Sequence, residues 1–146
     1  MIKRTFKNMR EKMKNKQGFT LVELIVVIVI ILILAAVLVP SVLKYVQKAS
    51  QANCKQDAAS TLTQLQADVA DWYSDETKTD VFEPKKIGQA VHVANKQTGD
   101  PGANKYSCAF ETKGENLGQI TAFSYGNSRY YITWTSEGGW GTPARR

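Results

Sequence analysis

Few side chains in this sequence could do chemistry, and the most telling is an acid in an unsuitable solvent. Glu23 stands inside a run from Phe19 to Val39 whose only other polar member is Thr20. A carboxylate at the centre of a bilayer is penalised by roughly 2.5 to 3.5 kcal/mol and by less near its surface, so it asks for a partner. The single histidine, His92, lies between Val91 and Val93 with no cysteine or second histidine at metal-ligand spacing, and reads as an edge or surface residue. Asp71, Asp75, Glu76, Asp80 and Glu83 crowd one polar stretch without the spacing of a calcium loop, and read as a solvated face. Cys54 and Cys108 are too few for a tetrahedral zinc site. No G-x-S-x-G, P-loop or dinucleotide fingerprint occurs, which argues against an enzyme and leaves no catalytic, cofactor or metal residue to assign.

The elements that must position these residues begin with a basic block. The chain has 146 residues and a net charge of +6, from 19 basic and 13 acidic side chains. Residues 1–18 hold seven of the basic ones (Lys3, Arg4, Lys7, Arg10, Lys12, Lys14, Lys16) against Glu11 alone, or 7 − 1 = +6. The remainder balances at 12 against 12, so nothing beyond residue 18 offers a bulk attraction for nucleic acid. The run from Phe19 to Val39, about 31 Å long as a helix at ~1.5 Å per residue, is enough to cross a bilayer core. The basic block before it predicts a cytoplasmic N-terminus and an exported remainder. A secretory signal peptide would carry a shorter apolar stretch, about 7 to 15 residues, with a small-residue cleavage site, so an uncleaved signal anchor is the stronger bland alternative. Neither accounts for Glu23.

Gln17-Gly18-Phe19-Thr20-Leu21-Val22-Glu23-Leu24, then an aliphatic run containing Ile33-Leu34-Ala35-Ala36 and ending at Pro40, resembles the N-terminus of type IV pilins and pseudopilins. The resemblance implies a prepilin peptidase that cuts between Gly18 and Phe19 and methylates the new amine of Phe19. It implies that Glu23 pairs with the amine of a neighbouring subunit, and a buried charge left unpaired by a misplaced neighbour would enforce register. Implied partners are that peptidase and methyltransferase, a membrane assembly platform, membrane lipid before assembly, and other copies of the chain in a filament; no cofactor is implied. Leu32 stands where many members carry a helix-loosening glycine, which leaves Pro40 as the main expected kink or melted point of the helix.

The reading divides the chain into a cleaved basic leader (1–18), a membrane and assembly helix (19–53) and an extracellular head (54–146). The fold class expected is α+β, a long N-terminal helix packed on a small antiparallel sheet of three or four strands. Beyond Pro40 the helical pattern runs to about Trp72 or Tyr73. One apolar stripe holds Val42, Tyr45, Val46, Ala49 and Ala52, and a nearly opposite one holds Cys54, Ala58, Leu62, Leu65, Val69 and Trp72. The first stripe suits other subunits' helices or lipid, the second the chain's own sheet. Residues 74–88, with Pro84 and Gly88, read as a surface connection. Strand-like alternation follows at Val91 and Val93, at Tyr106, Cys108 and Phe110, over Gln119 to Tyr125, and over Arg129 to Thr135. Tyr125-Gly126-Asn127-Ser128 predicts a two-residue hairpin connection. Cys54 on the sheet-facing stripe and Cys108 on an apolar strand face suggest a disulfide in an oxidising compartment, with two buried thiols as the alternative. Gly138-Gly139-Trp140-Gly141 reads as a flexible tail whose ring docks on the sheet or on a neighbour.

Three functional readings compete. The first is a filament subunit, either of a type IV pilus or, as a pseudopilin, of a secretion or DNA-uptake system. The second is an adhesive or DNA-binding tip module. The third is a signal-anchored enzyme, which would keep residues 1–18 attached and tolerate Glu23→Ala.

Overall fold

The computed structural model describes residues 18–94 and 98–146, so most of the basic leader lies outside the described residues. The chain divides into two compact units, residues 1–43 and 44–146. A single helix, α1 (Leu21–Ser74), contributes to both, and Pro40 lies inside it. The helix runs unbroken through Pro40, so no melted segment interrupts it there.

In the second unit, α1 buries a stripe of Cys54, Ala58, Thr61, Leu62, Leu65 and Val69, spaced three and four apart as one face of a 3.6-residue helix requires. Thr61 enters this apolar stripe without an orphan hydroxyl, because its Oγ1 donates to the Asp57 carbonyl one turn back at 2.8 Å. The stripe packs on a mixed sheet of six strands in the order β1-β2-β3-β4-β5, with β6 also on β4. The strands are β1 (Val91–His92), β2 (Lys105–Phe110), β3 (Ile120–Gly126), β4 (Tyr130–Thr135), β5 (Gly139–Trp140) and β6 (Ala144–Arg145). The fold is therefore α+β, with a longer strand list than the sequence suggested. The three long antiparallel strands match the three strongest alternating segments, whereas β1, β5 and β6 hold two residues each. Segments that short carry no readable period.

Cross-strand partners share a face, so register defines the core. Tyr106, Tyr125 and Ile132 form one row, and Cys108, Phe123 and Trp134 the next. Tyr106, Phe123, Ile132 and Leu65 are fully buried where these rows meet the helix stripe. Residues 74–88 are not only surface connection. Phe82 is buried, edge-on to Trp72 at 6.0 Å and to Phe110 at 5.9 Å, and Ile87 joins the same core. The hairpin differs too. Gly126 belongs to β3, opposite Tyr131, and three residues, Asn127 to Arg129, make the connection. The Asn127 carboxamide closes it, its Oδ1 accepting the N–H groups of Arg129 and Tyr130 at 2.9 Å each.

Part of the opposite face of the sheet is covered as well. Ser107 and Ser124, paired across β2 and β3, are both fully buried, and Pro101 is buried in the loop that precedes β2. That loop approaches so closely that a Cβ on Gly126 would meet the Gly102 carbonyl oxygen at 2.5 Å, which explains the glycine there. Arg146 holds the same loop, its Nε 2.7 Å from Asp100 Oδ2 and its Nη1 donating to the Asn127 carbonyl.

Candidate functional site

The sequence singled out Gly18, Phe19 and Glu23, and the first unit brings all three to the start of α1. Residues 18–20 are non-helical, and Phe19 is 91% exposed. An added Cβ on Gly18 would meet no described atom within 4 Å, so nothing in the fold demands glycine there. A requirement for a small residue would have to come from another molecule that grips this segment.

Glu23 is not left without a partner. Its Oε2 accepts the Thr20 backbone N–H at 3.0 Å and the Thr20 hydroxyl at 3.1 Å. The Glu23 N–H approaches Thr20 Oγ1 at 3.2 Å in return. This is a capping box: Thr20 is the N-cap of α1, Glu23 the third helical residue, and each satisfies a backbone donor the helix would otherwise leave open. The sequence carries the signal for this box as T-x-x-E directly before an apolar run. The box has two consequences. It stops the helix at Thr20, which keeps the Gly18–Phe19 peptide bond outside the helix. It also engages Oε2 and, among the described residues, leaves Oε1 open, so the carboxylate can take a second partner without giving up the first.

From Leu21 to Leu43 the apolar side chains of α1 are exposed. Among the described residues this is the one helix long and apolar enough to cross a membrane. Val42, Tyr45 and Val46, on the stripe expected to meet other subunits or lipid, are exposed as well.

The two cysteines do not come together. Both are buried thiols, and the bridge expected between them is not formed. The face was read correctly for each, but the level along the sheet was not. Cys54 Sγ lies 3.5 Å from the Tyr130 carbonyl oxygen, at the hairpin end of β4. Cys108 aligns through Phe123 with Trp134, four residues farther along that strand. At about 3.4 Å per residue that offset is roughly 13 Å, before counting the two strand spacings between β2 and β4, whereas a disulfide needs Cα atoms within about 7 Å. Alternation reports which face a residue occupies and nothing about its height. Burial pushes the Cys54 thiol up and the Cys108 thiol up to about 12, so both stay protonated near neutral pH.

The remaining candidates have structural explanations. His92 is half-buried on β1, its ring 5.4 Å from Tyr106, and its Nε2 is buried with no hydrogen-bond partner among the described residues. Burial lowers its pKa and favours the neutral ring. Asp75 is held by the Thr77 hydroxyl at 2.6 Å and by Lys78 at 3.5 Å. Among the described residues no three His, Cys, Asp or Glu side chains gather as metal ligands. Trp140 docks on its own sheet, edge-on to Phe123 at 6.3 Å and opposite Trp134.

An α+β unit joined to an exposed apolar helix that opens with a capped carboxylate describes a class of membrane-anchored chain rather than one family. Residues 13–39 narrow it, because they match the family model for the prokaryotic N-terminal methylation motif, the type IV pilin and prepilin signature. That motif, with the apolar helix it contains, fits a membrane-anchored pilin-like or pseudopilin protein. No curated protein and no solved structure matches the chain.

Proposed function

We propose that the chain is a prepilin that is cut between Gly18 and Phe19, methylated on the new amine of Phe19, and polymerised through α1 into an extracellular type IV filament. The observation that carries this reading is the methylation motif over residues 13–39. The basic leader stays in the cytoplasm, α1 holds the subunit in the membrane, and residues 44–146 face outward. Cleavage creates a cation at Phe19 beside a helix whose acid has one oxygen still open. In the filament, Glu23 Oε1 meets the Phe19 amine of a neighbouring copy while Oε2 stays on Thr20. Lipid around α1 is exchanged for the helices of other copies, with Val42, Tyr45 and Val46 at that contact. The head contributes surface rather than catalysis, and its partners are other copies, the peptidase and methyltransferase, and the assembly platform. A pseudopilin of a secretion or DNA-uptake system shares every one of these features and differs in filament length.

Intact-mass and N-terminal analysis of the protein from its native membrane or sheared surface fraction tests this. A chain that begins at N-methyl Phe19 is expected. A chain that keeps residues 1–18 overturns the reading and points to a plain signal anchor. The Glu23→Ala subunit should be cut normally, remain in the membrane and be absent from sheared filaments. Its appearance in filaments at the native level would remove the role given to Glu23.

A further inference from the structure

Between the last turns of the helix, the loop that follows β2 and the far end of β4 lies an open cavity of about 660 Å³. That volume is within the range of roughly 300 to 1,000 Å³ typical of small-ligand clefts. None of its eleven lining residues is charged. The contrast with the adjoining groove is sharp, since that one is lined by Asp68, Asp71, Asp80, Glu83 and Lys85. Two aromatic rings, Tyr73 and Trp134, contribute to the uncharged cavity, with Gln66, Asn116, Gln119 and Ser136 beside them.

The walls are tied to one another. Gly118 adopts φ +81°, and a Cβ there would meet Tyr73 Cδ2 at 2.7 Å, so the loop lies directly against that ring. The loop is closed on itself by Gly118 N–H to the Glu111 carbonyl at 2.8 Å and Glu111 N–H to the Gln119 carbonyl at 2.9 Å. Tyr73 is half-buried, and its hydroxyl accepts the Phe82 N–H at 3.4 Å, which orients the ring. The side-chain polar atoms of Gln66, Asn116, Gln119 and Ser136 take no part in any hydrogen bond within the described chain. The cavity thus offers apolar ring surface next to neutral donors and acceptors, and no charged lining residue.

We propose that this cavity is a binding site for a neutral saccharide of one to a few sugar units. A pyranose presents an apolar C–H face and a rim of hydroxyls. The face suits an aromatic ring, and the rim suits carboxamides and a serine hydroxyl, each able to donate and accept. A phosphate, carboxylated sugar or nucleic acid would find no countercharge among the lining residues. The site goes beyond the filament reading and stands without it, because an unassembled chain holds the same cavity.

The test uses the full chain in a phosphocholine detergent, which has no sugar headgroup to compete. Tryptophan emission is titrated with galactose, N-acetylglucosamine and lactose, and in parallel with sialic acid and glucosamine. A saturable change with at least one neutral sugar, at a Kd of about 1 mM or tighter, is expected. Ala70, exposed on the helix wall, lines the cavity, and Ala70→Arg should fill it and abolish the change with the melting transition kept. Gln66→Ala, also at an exposed position, should weaken binding about three- to tenfold, the size of one or two hydrogen bonds, and keeps the test decisive where Ala70→Arg fails to fold. The proposal falls where no neutral sugar gives saturation, where neither variant alters the affinity, or where the charged sugars bind as tightly as the neutral ones.

Discussion

A reductant added to the native protein should leave the unfolding of its head unchanged, and the size of the alternative makes this a sharp test. A bridge between Cys54 and Cys108 would close 108 − 54 + 1 = 55 residues. In the chain-entropy model that loop is worth about 4 kcal/mol. For a unit of roughly 100 residues, one kcal/mol moves the melting point by about 4 to 8 °C, so reduction of a bridged head would lower Tm by about 15 to 30 °C. The buried-thiol arrangement predicts no change. Tryptophan emission is a suitable probe because Trp72, Trp134 and Trp140 all belong to the second unit. Alkylation supplies the second readout. With its pKa pushed up to about 12 by burial, the Cys108 thiol stays almost wholly protonated at pH 8. Cys54, at 0% exposure, cannot reach a reagent without local opening. The native chain should therefore gain no adduct in minutes, and the denatured chain two. A reductant-induced drop of more than about 10 °C, or a denatured chain two hydrogens lighter that takes no adduct, would refute the register argument that separates the two sulfurs.

Other expectations follow from single contacts. Leu65 is fully buried between helix and sheet, so Leu65→Ala should destabilise the head by about 2 to 5 kcal/mol, read as a lower denaturant midpoint at unchanged slope. His92 has a pKa lowered by burial, so the unfolded chain binds its proton more readily than the folded one. Stability should be fully present above the ordinary histidine value of about 6.5 and decline as pH falls below it, and His92→Gln should flatten that decline in melts taken between pH 7 and 5. Thr20→Ala removes the hydroxyl of the capping box while Thr20→Ser restores it. If the box orients Glu23 for assembly, the alanine subunit should be cut normally yet recovered at reduced level in sheared filaments, and the serine subunit should return to the native level.

Much of this architecture was readable because it rests on periodic burial. The helix stripe from Cys54 to Val69 and the strands around Tyr106, Phe123 and Ile132 follow the periods of 3.6 and 2 that the sequence displays. What escaped the reading depends on quantities that periodicity does not encode. Phe82 and Ile87 sit in a polar stretch and are core residues only because the chain there folds back onto Trp72 and Phe110. The strands β5 and β6 exist through pairing with β4, and no two-residue segment announces that in advance. The cysteines failed for want of height along the sheet. At the candidate site the motif residues were all legible, but Thr20 was counted only as a polar interruption when it is the side chain that engages Glu23.

The two units differ in how they satisfy their own surfaces, and this difference orders the functional argument. In residues 44–146 the helix-facing side of the sheet is covered by α1 and part of its other side by the loop around Pro101, so the core of the head is closed from within the chain. From Leu21 to Leu43 the opposite holds: every long aliphatic side chain is exposed, and the one acid among them is already engaged by its own helix. A surface of that kind marks a membrane or protein contact. Substitutions should separate along the same line. Leu65→Ala should destabilise the head without altering cleavage after Gly18, whereas a charge at Val46 should block assembly and leave the head's melting transition intact. A Val46→Asp chain whose head no longer melts cooperatively would show that this stripe belongs to the fold and not to an interface.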